Sequence, residues 1–267
     1  MEYITLANGV KMPLLGYGVY QVDPAECERC VTDAIAVGYR SIDTAQAYHN
    51  EEGVGNAVRK SGLPREDFFL TTKVWISNGG YEKAKASIDE SLAKLQTDYI
   101  DLLLIHQPFN DYYGTWRAME EAYKAGKLRA IGVSNFYPDR LIDLCQFSEI
   151  KPMVNQVESH VYFLRKDLQR AVAAHGTVTQ AWAPFTEGRR DLFSEPVLRE
   201  VGRRHGKTAA QVALRYLLQN DMGVVVKSSR LPRLAENFQV FDFTLTPQEL
   251  QAVAQLEEGQ SLFGWYP

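Results

Sequence analysis

Eight short apolar runs, each followed by a longer amphipathic segment, constrain what this chain can fold into more than any other feature. The runs end near Val19, Asp43, Lys73, His106, Ser134, Glu158, Trp182 and Lys227. Several do not alternate: Leu102-Leu103-Leu104-Ile105 and Val224-Val225-Val226 are apolar throughout. Strands buried on both faces have this character, as in a parallel sheet covered by helices. Between the runs, Asp23-Pro24 supplies an N-cap and a first-turn proline for a helix over 24–37. Ala84, Ile88, Leu92 and Leu95 share one face of 81–95. Segments 115–125, 138–147 and 165–175 also read as helices, and Thr208 with Gln211 has capping-box spacing at the head of 208–219. Eight strand–helix units in about 250 residues match a closed α/β barrel of the (β/α)8, or TIM, type. Ahead of the barrel, Tyr3–Leu6 and Val10–Pro13 flank Asn8-Gly9, the strongest two-residue hairpin signal. Residues 1–267 therefore read as one barrel domain with an N-terminal β-hairpin and a short aromatic C-terminal tail, Ser261 to Pro267. An open doubly wound sheet is the alternative. It more often carries a Gly-rich nucleotide loop after its first strand. Here Gly16-Tyr17-Gly18 lacks the third glycine, with Gln21 in its place.

Composition narrows the function classes. The net charge of −4 gives no basic bias toward nucleic acid or an anionic membrane. No stretch approaches the roughly 20 apolar residues of a membrane helix. An acid at Glu2 and no apolar run behind it speak against a signal peptide. Three cysteines, an odd number, do not make a disulfide framework, so a reducing cytoplasm is the expected setting. Cys27 and Cys30 have CxxC spacing on a helix, but no second Cys or His pair accompanies them, and no metal site is expected. His49, His160, His175 and His205 show no ligand spacing; His160 stands just past a strand end. Gly202 to Thr208 is one residue short of a P-loop, and Gly53-Val54-Gly55 lies within a helix.

One constellation remains. Barrel strands deliver the residues at their C-terminal ends to the active site. The second, third and fourth strands end in Asp43, Lys73 and His106, and Tyr48 follows Asp43 by five residues. No second carboxylate suggests glycoside hydrolysis, and one His with one Asp makes a poor metal site. A tyrosine beside a lysine suggests a proton donor, since an ammonium favours the phenolate and lowers the phenol pKa. In this reading Asp43 keeps Lys73 charged and His106 orients a carbonyl oxygen. After the eighth strand, Lys227-Ser228-Ser229-Arg230-Leu231-Pro232-Arg233 offers cations and hydroxyls where barrels often bind phosphate. Trp182, at the seventh strand end, is placed to stack on a flat ring.

These residues also resemble a known family. Gly38 to Ala45 with Tyr48 and Asn50 to Gly55, Thr72-Lys73-Val74-Trp75, Asp101 to His106, Gly132 to Phe136, Asn155 to Glu158, and Lys227 to Asn237 together resemble the aldo-keto reductase signature. The likeness runs in order over almost the whole chain. Leu15 to Val19, Thr71-Thr72-Lys73, Glu236-Asn237-Phe238 and Phe241-Asp242-Phe243 bring it nearest to the bacterial 2,5-diketo-D-gluconate reductase group.

The resemblance implies an NADPH-dependent reductase of aldehydes and ketones, monomeric, without metal or flavin. It assigns Tyr48 as general acid, Lys73 and Asp43 as its tuning pair, and His106 as carbonyl orienter. It puts Ser134, Asn135 and Gln156 on the nicotinamide carboxamide, Trp182 under the ring, and Ala183 and Phe185 along the cofactor. Lys227, Ser228 and Arg233 match positions that hold the adenosine 2′-phosphate, and Glu236 and Asn237 those that hold adenine. Tyr20, Trp75, Phe109 and the tail would line the substrate mouth. Gln107 stands where many relatives have Trp, making the wall more polar, and Glu187 places an acid near the pyrophosphate path. A short loop after His106 and a brief tail suggest broad specificity: sugar ketones, methylglyoxal and aromatic aldehydes. The competing functions are a regulatory or binding module with vestigial activity, against which all four catalytic positions are retained, and another barrel enzyme such as an isomerase.

Overall fold

The computed structural model describes residues 1–264, so the last three residues of the expected aromatic tail lie outside the described residues. The chain opens with an antiparallel hairpin, β1 (Tyr3–Thr5) and β2 (Lys11–Pro13), turning at Asn8-Gly9. Eight parallel strands follow: β3 (Leu15–Gly18), β4 (Ser41–Asp43), β5 (Phe69–Val74), β6 (Leu102–Ile105), β7 (Ile131–Ser134), β8 (Val154–Glu158), β9 (Val178–Trp182) and β10 (Gly223–Val226). They pair in chain order and close when β10 pairs with β3. The expected strand ends fall within one residue of the observed ones.

The helices are α1 (Pro24–Val37), α2 (Glu51–Lys60), α3 (Tyr81–Leu95), α4 (Tyr112–Lys124), α5 (Pro138–Phe147), α6 (Lys166–Ala173), α7 (Pro196–His205), α8 (Ala209–Leu218), α9 (Leu231–Phe238) and α10 (Pro247–Ala254). The expected caps form: the Asp23 side chain accepts from the Ala25 N–H, and Thr208 and Gln211 make a reciprocal capping box. Two helices differ most from expectation. Asp111 accepts from the Gly114 N–H and starts α4 at Tyr112, three residues earlier, and α6 covers only 166–173 of the expected 165–175. No helix among the described residues is long and apolar enough to cross a membrane.

The continuous apolar character of the strands follows from their two buried faces. Leu103, Ile105, Val224 and Val226 pack into the main core with the surrounding helices. Leu102 and Leu104 join Phe69, Val154 and Met153 in a second cluster, capped by Leu6 and Met12 of the hairpin. This apolar plug fills one end of the barrel. The inward positions nearer the C-terminal ends of the strands are polar: Asp43, Lys73, Gln156 and Gln180, all buried. The chemistry is thereby confined to one end.

The glycine pairs that mimic nucleotide motifs are packing devices. A Cβ on Gly18 would stand 2.7 Å from Val225 Cγ1 across the barrel seam. A Cβ on Gly55 would stand 2.6 Å from the Leu95 carbonyl oxygen, so glycine there lets α2 meet the end of α3.

Candidate active site

A cavity of about 690 Å³ opens at the C-terminal end of the barrel, with Asp43, Tyr48 and His106 in its wall. Asp43 ends β4, and the chain turns immediately through a short 3-10 segment, Gln46–Tyr48, which returns the Tyr48 ring toward β5. Gln46 fixes that turn. Its amide donates to the Ser87 carbonyl and Ser91 Oγ, while its oxygen accepts from the Trp75 N–H and Asn78. Lys73, fully buried on β5, donates to Asp43 Oδ1 at 2.5 Å and to the Thr44 carbonyl at 2.9 Å. Its ammonium lies 5.1 Å from the Tyr48 ring centroid. The His106 ring meets Tyr48 edge-on at 5.5 Å and Trp75 at 4.9 Å.

The electrostatics correct one expectation. Lys73 does not bring the Tyr48 phenol below its ordinary value. Burial pushes it well above its ordinary value, and Asp43, Tyr20 and Glu187 add to the rise. Desolvation of the phenolate is the largest cause. Burial also pulls Lys73 below its ordinary value, although Asp43 opposes it by charge and hydrogen bond. His106 is held well below its ordinary value by burial and then by Lys73, so the imidazole is neutral. Its Nδ1 has no hydrogen-bond partner among the described residues.

Ser134, Asn135 and Gln156 form one connected shelf. Ser134 Oγ donates to the Gln156 carbonyl at 2.8 Å, and the Asn135 amide donates to Ser134 Oγ and to the His106 carbonyl. Trp182 Nε1 donates to Asn135 Oδ1 at 2.9 Å, which fixes the indole plane. Ser134, Asn135, Gln156, Trp182, Ala183 and Phe185 all line the large cavity. Phe185 and Lys227 also line a second cavity of about 350 Å³. Ser228, Arg230 and Arg233, around the start of α9, and Glu236 and Asn237, in its last turn, surround it. From below, the Tyr17 hydroxyl donates to the Ser228 carbonyl at 2.9 Å, and Thr208 Oγ1 donates to Glu236. Cations and N–H groups at a helix start suit a phosphate.

Tyr20, Trp75 and Gln107 also line the large cavity. Tyr20 lies 5.0 Å from Tyr48, ring to ring. Phe109 is exposed, with the Arg140 guanidinium over its ring, and is not among the described residues that line the cavity. The described part of the tail contributes Phe263, edge-on to Trp182 at 4.9 Å; the tail beyond Gly264 is outside the described residues.

Residues 14–258 match the sequence pattern of the aldo/keto reductase family. The chain belongs to that family. It is 44% identical over 261 residues to a glyoxal reductase of Bacillus subtilis, covering 97% of this chain and 94% of that protein. It is 40% identical over 262 residues to the methylglyoxal reductase DkgA of Escherichia coli K12, with 97% and 94% covered. Among solved structures, a Bombyx mori aldo-keto reductase in complex with NADP superposes with a TM-score of 0.92 at 32% identity, covering 97% of this chain and 94% of that one. The protein is thus an oxidoreductase by family, on the expected barrel.

Sequence reasoning left three features of this aldo/keto reductase without a role. Glu158, at the end of β8, accepts from the Leu262 N–H at 2.8 Å and from Ser261 Oγ, and pairs with His160 Nε2 at 3.1 Å. Burial pushes Glu158 up, but the His160, Ser261 and Leu262 donors overcome it and hold the carboxyl below its ordinary value. The pair anchors the tail. Its signal in sequence was an acid at a strand end with His160 two residues on. Arg189 completes the clamp, donating to the Leu262 carbonyl at 2.7 Å and lying 4.3 Å over the Phe263 ring. Gln180 was the third, and only the hydrogen bonds reveal it. Cys27, Cys30 and Cys145 are free and buried.

Proposed function

We propose that this family member reduces aldehydes and ketones to alcohols with NADPH, and that Tyr48 is the proton donor. The observation that carries the reading is that two adjoining cavities share Phe185 and Lys227 in their walls. Asp43, Tyr48 and His106 meet in the wall of the larger, and Phe185 and Lys227 lead from it to a cationic second cavity. That span and donor set fit a dinucleotide with one extra phosphate. Gln156, Ser134 and Asn135 would hold the carboxamide end, Trp182 the ring face, and Lys227, Ser228 and Arg233 the 2′-phosphate. Bound NADPH would supply the hydride.

The protein's own groups would do the rest. A neutral His106 donates one N–H to the carbonyl oxygen and holds it at the Tyr48 hydroxyl. The phenol keeps its proton at neutral pH because burial holds its pKa high. It releases that proton only to an oxygen that has gained negative charge, which is what a general acid for this step requires. Asp43 and Lys73, paired within a dry wall, keep a fixed field under the phenol. Small dicarbonyls of the glyoxal and methylglyoxal type, which name two relatives, are the first proposed substrates. The polar Gln107 wall suits sugar ketones, and the exposed Tyr20 mouth suits aromatic aldehydes. The protein is read as a cytoplasmic monomer.

The test is NADPH oxidation by the purified protein with methylglyoxal, glyoxal, an aromatic aldehyde and a sugar ketone. Turnover with several of these, slower with NADH, is expected. A folded protein that binds NADPH and turns over no carbonyl would refute the reading in favour of a binding module.

A further inference from the structure

Gln156 and Gln180 are paired across β8 and β9, and both are buried. The Gln156 amide nitrogen donates to Asp43 Oδ2 at 2.7 Å and to Gln180 Oε1 at 2.8 Å. Only acceptors are available on an ionised carboxylate, so Gln156 must turn its NH2 toward Asp43. Its second N–H then requires an acceptor, and Gln180 must turn its oxygen to meet it. The Gln180 NH2 is left against Met12 Sδ at 3.9 Å. The direction of each amide is therefore set outward from Asp43. Space for the Gln180 stem comes from Gly223, where a Cβ would stand 3.2 Å from Gln180 Cγ. Both N–H groups of Gln156 are committed inside the wall. What Gln156 can offer the cavity it lines is its carbonyl oxygen alone.

We propose that Gln180, which lines neither cavity, is a positioning residue that locks the rotation of Gln156. Locked in this way, Gln156 donates to Asp43 on one side and presents only an acceptor on the other. That acceptor selects a ligand with an N–H donor, such as a carboxamide. Without an acceptor at position 180, one Gln156 N–H is buried and unpaired, and the amide gains by turning that N–H to the cavity and releasing Asp43. The inference rests on the proposed cofactor reading.

The test compares Gln180→Met, which keeps the shape and removes the acceptor, with Gln180→Glu, which keeps a carbonyl acceptor. A buried acid beside Asp43 stays protonated, so Gln180→Glu adds no charge. Two ligands are titrated: NADPH, and 2′-phospho-ADP-ribose, which lacks the nicotinamide. Gln180→Met is expected to weaken NADPH by about three- to tenfold and the fragment by less than about twofold. Its kcat should fall about tenfold with the carbonyl KM within about twofold, and Gln180→Glu should restore most of both. Fragment binding also reports that each variant is folded. Equal weakening of both ligands, no change in NADPH affinity and kcat, or a Gln180→Glu variant as impaired as Gln180→Met would each overturn the proposal. Wild-type protein that binds neither ligand would overturn the cofactor reading, and this proposal with it.

Discussion

Replacing Lys73 with methionine separates what the buried ion pair does for stability from what it does for chemistry. The Lys73 and Asp43 side chains are 1% and 6% exposed, and the pair is closed at 2.5 Å. Lys73→Met keeps the stem and removes the ammonium. Among the described residues Asp43 then retains only the Gln156 N–H as a side-chain donor. Breaking a buried pair on one side typically costs about 3–5 kcal/mol, because the remaining charge is uncompensated. For a domain of this size each kcal/mol moves Tm by about 2–4 °C, so a drop of roughly 6–20 °C is expected. Adding Asp43→Asn removes the orphaned charge. The double variant should recover about half of the loss or more, with a coupling energy of about 2 kcal/mol. Its activity should stay lost, since the field under the phenol is gone. The assay is urea denaturation of the four proteins of the cycle, with turnover measured on each. Single losses below about 1 kcal/mol that add without coupling would show that the pair behaves as a solvated one, and the dry-wall account of the site would be wrong.

Other outcomes follow from the same geometry. Arg233 is exposed beside the second cavity. Arg233→Ala should weaken NADPH by about two- to tenfold after allowance for solvent, and leave NADH unchanged in paired titrations at fixed salt; equal weakening of both would reassign the residue to the adenine or the loop. Because His106 is held below and Tyr48 above their ordinary values, neither changes its proton near neutrality. A plot of kcat/KM for carbonyl reduction against pH should be flat from about 6 to 9, and a limb near 7 would contradict the assigned states. Gly55→Ala drives a Cβ to within 2.6 Å of the Leu95 carbonyl, so it should cost about 1–3 kcal/mol in urea unfolding with activity per folded molecule retained.

The barrel was legible because two-face burial leaves continuous apolar runs, and β6 and β10 carry that pattern without interruption. The cavity wall was legible for the same reason, since a strand end fixes the direction of Asp43 and His106 whatever the loops do. What could not be read were quantities that depend on who stands next to whom in space. The rise in the Tyr48 pKa comes from burial first and then from the charges of Asp43, Tyr20 and Glu187, which only the folded chain brings beside it. That the Arg140 guanidinium stands over the Phe109 ring is likewise visible only in the fold. The clamp on the tail joins Glu158 to Ser261 and Leu262, about a hundred residues apart in sequence. Gln180 looks like any polar strand residue until its oxygen is seen to face the Gln156 amide.

The claim at the centre is that the Tyr48 phenol delivers the proton to the reduced carbonyl. Tyr48→Phe removes one hydroxyl and leaves the Lys73–Asp43 pair in place. The most direct measurement is single-turnover NADPH oxidation with excess methylglyoxal, wild type against Tyr48→Phe, after titration has shown that both bind NADPH equally. Removing a positioned general acid typically lowers the rate by about 10²–10⁴-fold, and a loss in that range with unchanged NADPH affinity is expected. A Tyr48→Phe protein that keeps more than about a tenth of the wild-type rate would contradict the assignment, and the proton would have to come from another group.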